Sequence, residues 1–252
     1  MKLINVLIIE DDPIMVDTVA VCFYVCWPES TVISVSTGEE ALEVVENQPP
    51  DIIILDLGLP GIDGYQTLKK LRGFSEIPII LLTAKDSEMA RIKGLELGAD
   101  DYITKPFSHI VLMARVKAVL RRAPANTSES GRGTYRSEEA GLEIDLDSRV
   151  VTRHSQAVNL APLEYSLLDL LVSNEGRVLS HERILSKVWG QEYKDETAYL
   201  KVYIRRLRTK LWDDPQNPEL IHTQRGVGYV FQVKPKGGAL LTGELALPGA
   251  NA

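Results

Sequence analysis

The stretch DIIILDLGLP (51–60) decides the fold. Four aliphatic residues, Ile52 to Leu55, follow one another without a polar break and stop at Asp56, with Gly58 and Pro60 behind it. A short apolar run closed by turn residues reads as a strand covered on both faces, the pattern of a parallel sheet. Working outward, Ile4–Ile9, Thr31–Val35, Ile77–Leu82 and Tyr102–Thr104 read the same way. Amphipathic helical patterns lie between and after them, at about 13–26, 38–47, 64–72, 86–97 and 109–122. Five β-α alternations predict a doubly wound α/β domain over 1–122, with its ligands at the carboxyl edge of the strands.

The pattern changes beyond that domain. Residues 123–137 (APANTSESGRGTYRS) are small and polar and read as a flexible linker. From 138 to 233 a second, α+β domain is expected. A small antiparallel sheet around Leu142–Ile144 and Val150–Val151 leads into helices at about 162–173, 181–188 and 195–211. A hairpin over 221–233 turns at Gly226 and Gly228. Residues 234–252 read as a ragged tail.

Composition narrows the function classes. The chain of 252 residues has 44% hydrophobic and 25% charged residues, usual for a globular protein of two domains. No apolar run is long enough for a membrane span, and the N-terminal apolar stretch meets Glu10-Asp11-Asp12 too soon for a signal peptide. Two cysteines, Cys22 and Cys26, make no disulfide framework. A cytoplasmic protein without membrane contact is expected. Cys22 and Cys26, four apart on one helix face, read as small core hydrophobes. The net charge of −7 is uneven: 1–122 carries −6 and the remainder −1, and 195–211 is locally basic. Acidity of the whole chain therefore does not exclude a nucleic-acid site.

The chemistry of the first domain sits at strand ends. Glu10-Asp11-Asp12, Asp56, Thr83 and Lys105 each follow or close a predicted strand and would meet on one sheet edge. Clustered carboxylates repel, and a hard divalent cation such as Mg2+ relieves that. An aspartate beside Mg2+, with a Lys and a Thr to hold phosphoryl oxygens, is a site for accepting a phosphoryl group. Pro106 makes the Lys105–Pro106 bond a candidate for the cis form.

The segments IIEDD (8–12), LDLGLPGIDGY (55–65), LLTA (81–84) and GADDYITKPF (98–107) resemble the signature segments of bacterial response-regulator receiver domains. The resemblance implies Asp56 as the phosphoacceptor, charged by a cognate sensor histidine kinase. It implies Mg2+ held by Asp12, Asp56 and the carbonyl of Gly58, with Asp11 acting through the ion's waters. Lys105 would pair with the phosphoryl group, Thr83 would shift toward it, and Tyr102 would follow inward. The family's switch is a population shift toward the state that binds phosphate better.

In the second domain, Leu200, Ile204, Leu207 and Leu211 share one helical stripe and should face the core. Val202, Arg205 and Thr209 lie nearly opposite, flanked by Lys201 and Arg206. A basic helix followed by a hairpin has the layout of a recognition helix and wing. The stretches 160–190 and 197–231 resemble the winged-helix effector domain of the OmpR/PhoB subfamily. That resemblance implies promoter DNA and RNA polymerase as partners. It places Val202 and Arg206 nearest the base edges, and Tyr199, Lys201, Tyr203, Arg205 and Arg208 around them, mostly at phosphates. Arg225, with Thr223 beside it, would reach the minor groove.

The resemblance also implies a phosphorylation-dependent homodimer through helix 4, strand 5 and helix 5, reading half-sites about one turn apart. Asp101 with Arg115, and Asp100 with Arg122, match intersubunit pairs. Arg91 matches the helix-4 cation, whose usual Glu partner is replaced here by Val111, so this face is more apolar than expected. Two other readings compete. A Mg2+-dependent phosphatase or phosphotransferase would use the same aspartyl chemistry, but Gly58 stands where a second carboxylate is needed and no insertion could form a lid. A DNA binder without phosphate control would not need the complete pocket present here. The chain is read as a regulator, not an enzyme.

Overall fold

The computed structural model describes residues 3–84, 88–122 and 133–233, without the side chains of 88, 121 and 122. The first unit is a five-stranded parallel sheet: β1 (Asn5–Ile9), β2 (Thr31–Val35), β3 (Ile52–Asp56), β4 (Ile79–Thr83) and β5 (Asp101–Thr104). The spatial order is β2-β1-β3-β4-β5. The connecting helices are α1 (Pro13–Cys26), α2 (Gly38–Asn47), α3 (Gly64–Leu71) and α4 (Glu88–Glu96), and α5 (His109–Arg122) follows β5. Each central strand supplies both cores, because successive side chains point to opposite faces. Val6, Ile8, Ile52, Ile54, Ile80 and Leu82 pack with Val19, Phe23, Leu112 and Val116 of α1 and α5. Leu7, Ile9, Ile53, Leu55, Ile79 and Leu81 pack on the other side with Ala41, Val45, Leu68 and Leu71. That is why no polar residue interrupts β3.

The second unit opens with the antiparallel strands β6 (Thr134–Ser137), β7 (Leu142–Asp145), β8 (Val151–Arg153) and β9 (Gln156–Ala157). Residues 134–137 were expected to belong to the linker. They form a strand because Tyr135 and Arg136 pair with Ile144 and Glu143 of β7, a partner that local composition does not reveal. The earlier linker residues 123–132 and the tail 234–252 lie outside the described residues. Three helices follow, α6 (Pro162–Val172), α7 (His181–Val188) and α8 (Thr197–Lys210), with a short 3-10 turn at Gln191–Tyr193. β10 (Leu179–Ser180), β11 (Ile221–Gln224) and β12 (Gly228–Phe231) make a three-stranded sheet ordered β10-β12-β11. This is a winged helix-turn-helix domain. Leu200, Ile204, Leu207 and Leu211 of the α8 region are all buried, as their spacing requires.

The two units touch. α8 lies against α4, and α6 against α5. The core on the α2-α3-α4 side of the five-stranded sheet is continuous with the core of the second domain.

Candidate phosphoacceptor pocket and nucleic-acid interface

β3 ends at Asp56, and the chain turns there under tight constraint. A side chain at Gly64 would place its Cβ 2.3 Å from the Asp56 carbonyl oxygen and 2.6 Å from Leu57 Cα. The Gly58 N–H donates to Asp56 Oδ2 at 2.8 Å. From β5, Lys105 reaches across with Nζ 2.8 Å from Asp56 Oδ1 and 2.6 Å from Glu10 Oε2. The Lys105–Pro106 peptide is cis. Thr83 is buried at the end of β4. Burial raises the pKa of Glu10, opposed by the Lys105 hydrogen bond. Lys105 is raised instead: its hydrogen bonds to Asp56 and Glu10 together outweigh the desolvation that opposes them.

Among the described residues, Glu10, Asp11 and Asp56 are the acidic cluster able to hold a metal, with ligand oxygens all within 4.8 Å of one another. Asp12, expected as a ligand, is placed differently. Its side chain accepts the Ile14 N–H at 2.9 Å and caps α1. The reason is the end of β1: the Glu10 N–H bonds the Val35 carbonyl at 3.1 Å, which keeps Glu10 in the sheet edge and buried, while Asp12 is already at the helix start. The adjacency of three acids gave no means of choosing between Glu10 and Asp12. The oxygen-only donor set fits Mg2+.

The residues expected on the DNA face are divided. Lys201, Arg205, Thr223 and Arg225 are exposed. Tyr199, Val202 and Tyr203 are buried, because α8 turns this face onto the receiver. Arg206 is held by the buried Glu164 at 2.7 Å, and Lys210 by the same carboxylate at 2.7 Å. Arg208 donates to the Ile221 carbonyl at 2.6 Å and to Thr223 Oγ1 at 3.1 Å, tying α8 to the wing. Tyr199, Val202, Tyr203 and Arg206 therefore do not present a free face to DNA in this arrangement. The receiver supplies groups that suit them, and these were not visible from the helix pattern alone.

The face expected to make a dimer is also occupied within the chain. Asp101 pairs with Arg115 of its own chain at 2.7 Å. Asp100 pairs with Arg72 at 2.8 Å and accepts the Ile79 N–H at 2.9 Å, so its expected partner Arg122, whose side chain lies outside the described residues, is not required. Arg91 donates to the Tyr102 hydroxyl at 2.6 Å. Val111 is exposed, beside an exposed Ile110. Tyr193, which sequence reasoning passed over, donates its hydroxyl to Asp101.

A doubly wound domain with an acidic, lysine-bridged strand edge, joined to a winged helix-turn-helix, defines the class of DNA-binding two-component response regulators. Comparison with known proteins agrees. The "Response regulator receiver domain" family matches residues 6–117, and "Transcriptional regulatory protein, C terminal" matches 155–231. The Sensory transduction protein RegX3 of Mycolicibacterium smegmatis is 40% identical over 228 residues, 90% of this chain and 99% of that protein. The Probable transcriptional regulator ycf27 of Porphyridium aerugineum is 46% identical over 204 residues, covering 80% of this chain and 85% of its own. The solved structure of a mutant of RitR aligns with a TM-score of 0.71 at 28% identity, over 91% of this chain and 99% of that one. The chain belongs to the response regulators of the OmpR/PhoB type.

Proposed function

We propose that a sensor histidine kinase transfers a phosphoryl group to Asp56, and that this controls binding of the winged helix to promoter DNA. The observation that carries the reading is the position of Lys105, whose ammonium bridges Asp56 and Glu10 at 2.8 and 2.6 Å. A cation so placed is ready to meet phosphoryl oxygens on Asp56. In the transfer, an Asp56 carboxylate oxygen bonds to phosphorus as the P–N bond of the kinase phosphohistidine breaks, and the imidazole leaves. Glu10, Asp11 and Asp56 would hold Mg2+, with the Gly58 carbonyl as a further candidate. When bound, the ion neutralises phosphoryl charge. Thr83 would move toward the phosphoryl group and Tyr102 inward behind it.

Phosphorylation would then favour a homodimer through α4, β5 and α5, with Ile110 and Val111 adding apolar contact. Two protomers would read repeated half-sites and meet RNA polymerase at the promoter. Thr223 and Arg225, on the wing and outside the domain contact, are the DNA contacts that need no rearrangement, whereas Lys201 and Arg205 would reach DNA once α8 leaves the first domain. The protein would act in the cytoplasm as a regulator, turning over no substrate of its own. Among the described residues no helix is long and apolar enough to cross a membrane.

The test is intact mass after incubation with Mg2+ and acetyl phosphate, beside Asp56→Asn. The parent gains one phosphoryl mass and the variant none. A parent that stays folded and unmodified, with this donor and with phosphorylated kinase, refutes the reading.

A further inference from the structure

α8 ends in a Schellman motif, and the motif turns Asp213 inward. The Trp212 N–H returns to the Thr209 carbonyl at 3.2 Å, and the Asp213 N–H to the Arg208 carbonyl at 2.8 Å. Trp212, at the position where such a turn ordinarily has glycine, has φ +50° and is exposed. Left-handed backbone is unfavourable for a residue with a Cβ, so the contacts this turn sets up outweigh that strain. The buried Asp213 carboxylate accepts three consecutive backbone N–H groups: Glu219 at 2.7 Å, Leu220 at 3.1 Å and Ile221 at 3.0 Å. These residues lead into β11, the first strand of the wing. Arg208 Nε lies 3.8 Å from Asp213 Oδ2, and the same guanidinium donates to the Ile221 carbonyl and Thr223 Oγ1. From β8, the buried Arg153 donates to the Leu211 carbonyl and meets Glu219 at 2.6 Å.

Buried ions are a poor route to stability, since apolar residues of similar volume often do as well. What a fully satisfied buried network supplies is a unique, rigid geometry. Asp213 grips the backbone at the entry to β11, and Arg208 joins the last turn of α8 to the strand itself. Helix and wing are thereby fixed as one body. All of these groups belong to the second domain, so the arrangement needs nothing from the first. A winged helix-turn-helix lays one helix in the major groove. A wing that reaches the neighbouring minor groove must stand at the right angle to that helix. Arg225 directly follows β11, so it goes where the strand points.

We propose that Asp213, together with Arg208, is a positioning residue for DNA binding: it sets the angle between α8 and the wing that brings Arg225 to the minor groove. The proposal rests on the reading of Arg225 as a DNA contact. Asp213 is buried and acts only through the backbone it holds. Arg208, expected at a phosphate from the helix pattern, acts through the strand to which it is tied.

The test uses the full chain, a mixed-sequence duplex and fluorescence anisotropy from low to moderate KCl. Arg225→Ala is made in the native chain, in Asp213→Asn and in Arg208→Lys. Asp213→Asn keeps the size of the side chain but loses its charge and one acceptor. Arg208→Lys keeps the charge, loses the forked bonds to β11, and serves if Asp213→Asn folds poorly. In the native chain, Arg225→Ala should weaken binding about tenfold and reduce the slope of log affinity against log salt by about one. In either altered background it should change affinity by less than about twofold and leave the slope where it is, the non-additivity of coupled sites. A purely structural role for Asp213 would lower stability and leave the contribution of Arg225 intact. Equal effects of Arg225→Ala in all three chains therefore overturn the positioning. No effect of Arg225→Ala even in the native chain removes the wing contact itself, and the positioning with it.

Discussion

At the residue scale, the pocket depends on a backbone that passes very close to itself. Gly64, the first residue of α3, faces the Asp56 carbonyl at a separation that no Cβ tolerates. Gly64→Ala must push the β3-α3 loop away and carry Asp56 from its place beside Lys105. The rate of phosphoryl gain from acetyl phosphate should then fall by up to about 100-fold, the effect of displacing a reacting group by about 1 Å. Mass spectrometry over time measures it, and an unchanged rate would show that the loop absorbs the methyl without moving Asp56. At this scale the sequence was most informative about identity and least about register. Asp56, Lys105 and Thr83 were each placed at a strand end and do meet at one edge. Which of three successive acids joins them was not legible, because the choice between Glu10 and Asp12 turns on where β1 leaves the sheet.

At the scale of elements, local chemistry was sufficient in most places. α1 begins at Pro13 behind the Asp12 cap, α3 behind Asp63, and α7 behind Ser180. α2 carries a full capping box: the Glu40 N–H donates to Thr37 Oγ1 at 3.3 Å, while Glu40 accepts from the Thr37 N–H at 3.3 Å. Thr37→Ala should cost about 1 kcal/mol of stability, read from the urea midpoint at constant m-value. Hydrogen bonding by the Ser36 backbone, chiefly, holds the Glu40 carboxyl below its ordinary 4.5. A depressed carboxyl stabilises the fold above its unfolded pKa and loses that contribution as pH falls through the folded value. The parent should therefore lose more stability than Glu40→Gln on acidification from about pH 5. Parallel slopes in a series of urea melts would remove Glu40 from the account. Among the elements missed were β6, four residues that become a strand only because β7 lies beside them, and the two-residue β10, which exists only by pairing with β12.

For the whole molecule, the decisive feature is the seam between domains. One hydrophobic cluster runs through it, and charged pairs ring it. Exposed pairs such as Arg205 with Glu96 are screened by salt, so the seam should be looser at high ionic strength. The wing lies outside it, and Arg225 is exposed at the hairpin turn before Gly226. Arg225→Ala should weaken binding to all duplexes alike and reduce the slope of log affinity against log salt by about one. Anisotropy titrations over a range of KCl concentrations would show this, and an unaltered slope would remove Arg225 from the DNA contacts.

The amino-acid order alone determined two domains, the parallel order of apolar strands, the helix starts, the Asp56–Thr83–Lys105 constellation and the buried stripe of α8. All of these follow from periodicity, caps and turns within a few residues, together with motifs whose spacing the fold preserves. Three things were decided only by tertiary structure: Glu10 in place of Asp12, the strand at Thr134–Ser137, and the burial of Tyr199, Val202 and Tyr203 against the receiver. Each depends on a group far away in the chain. The helical pattern of 197–210 shows a basic, tyrosine-bearing face, but whether that face meets water, DNA or protein depends on what stands opposite. Here it is Asp101, nearly a hundred residues earlier, a buried carboxylate that accepts from Tyr102 and Arg115 of its own domain and from Tyr193 and Tyr199 of the second.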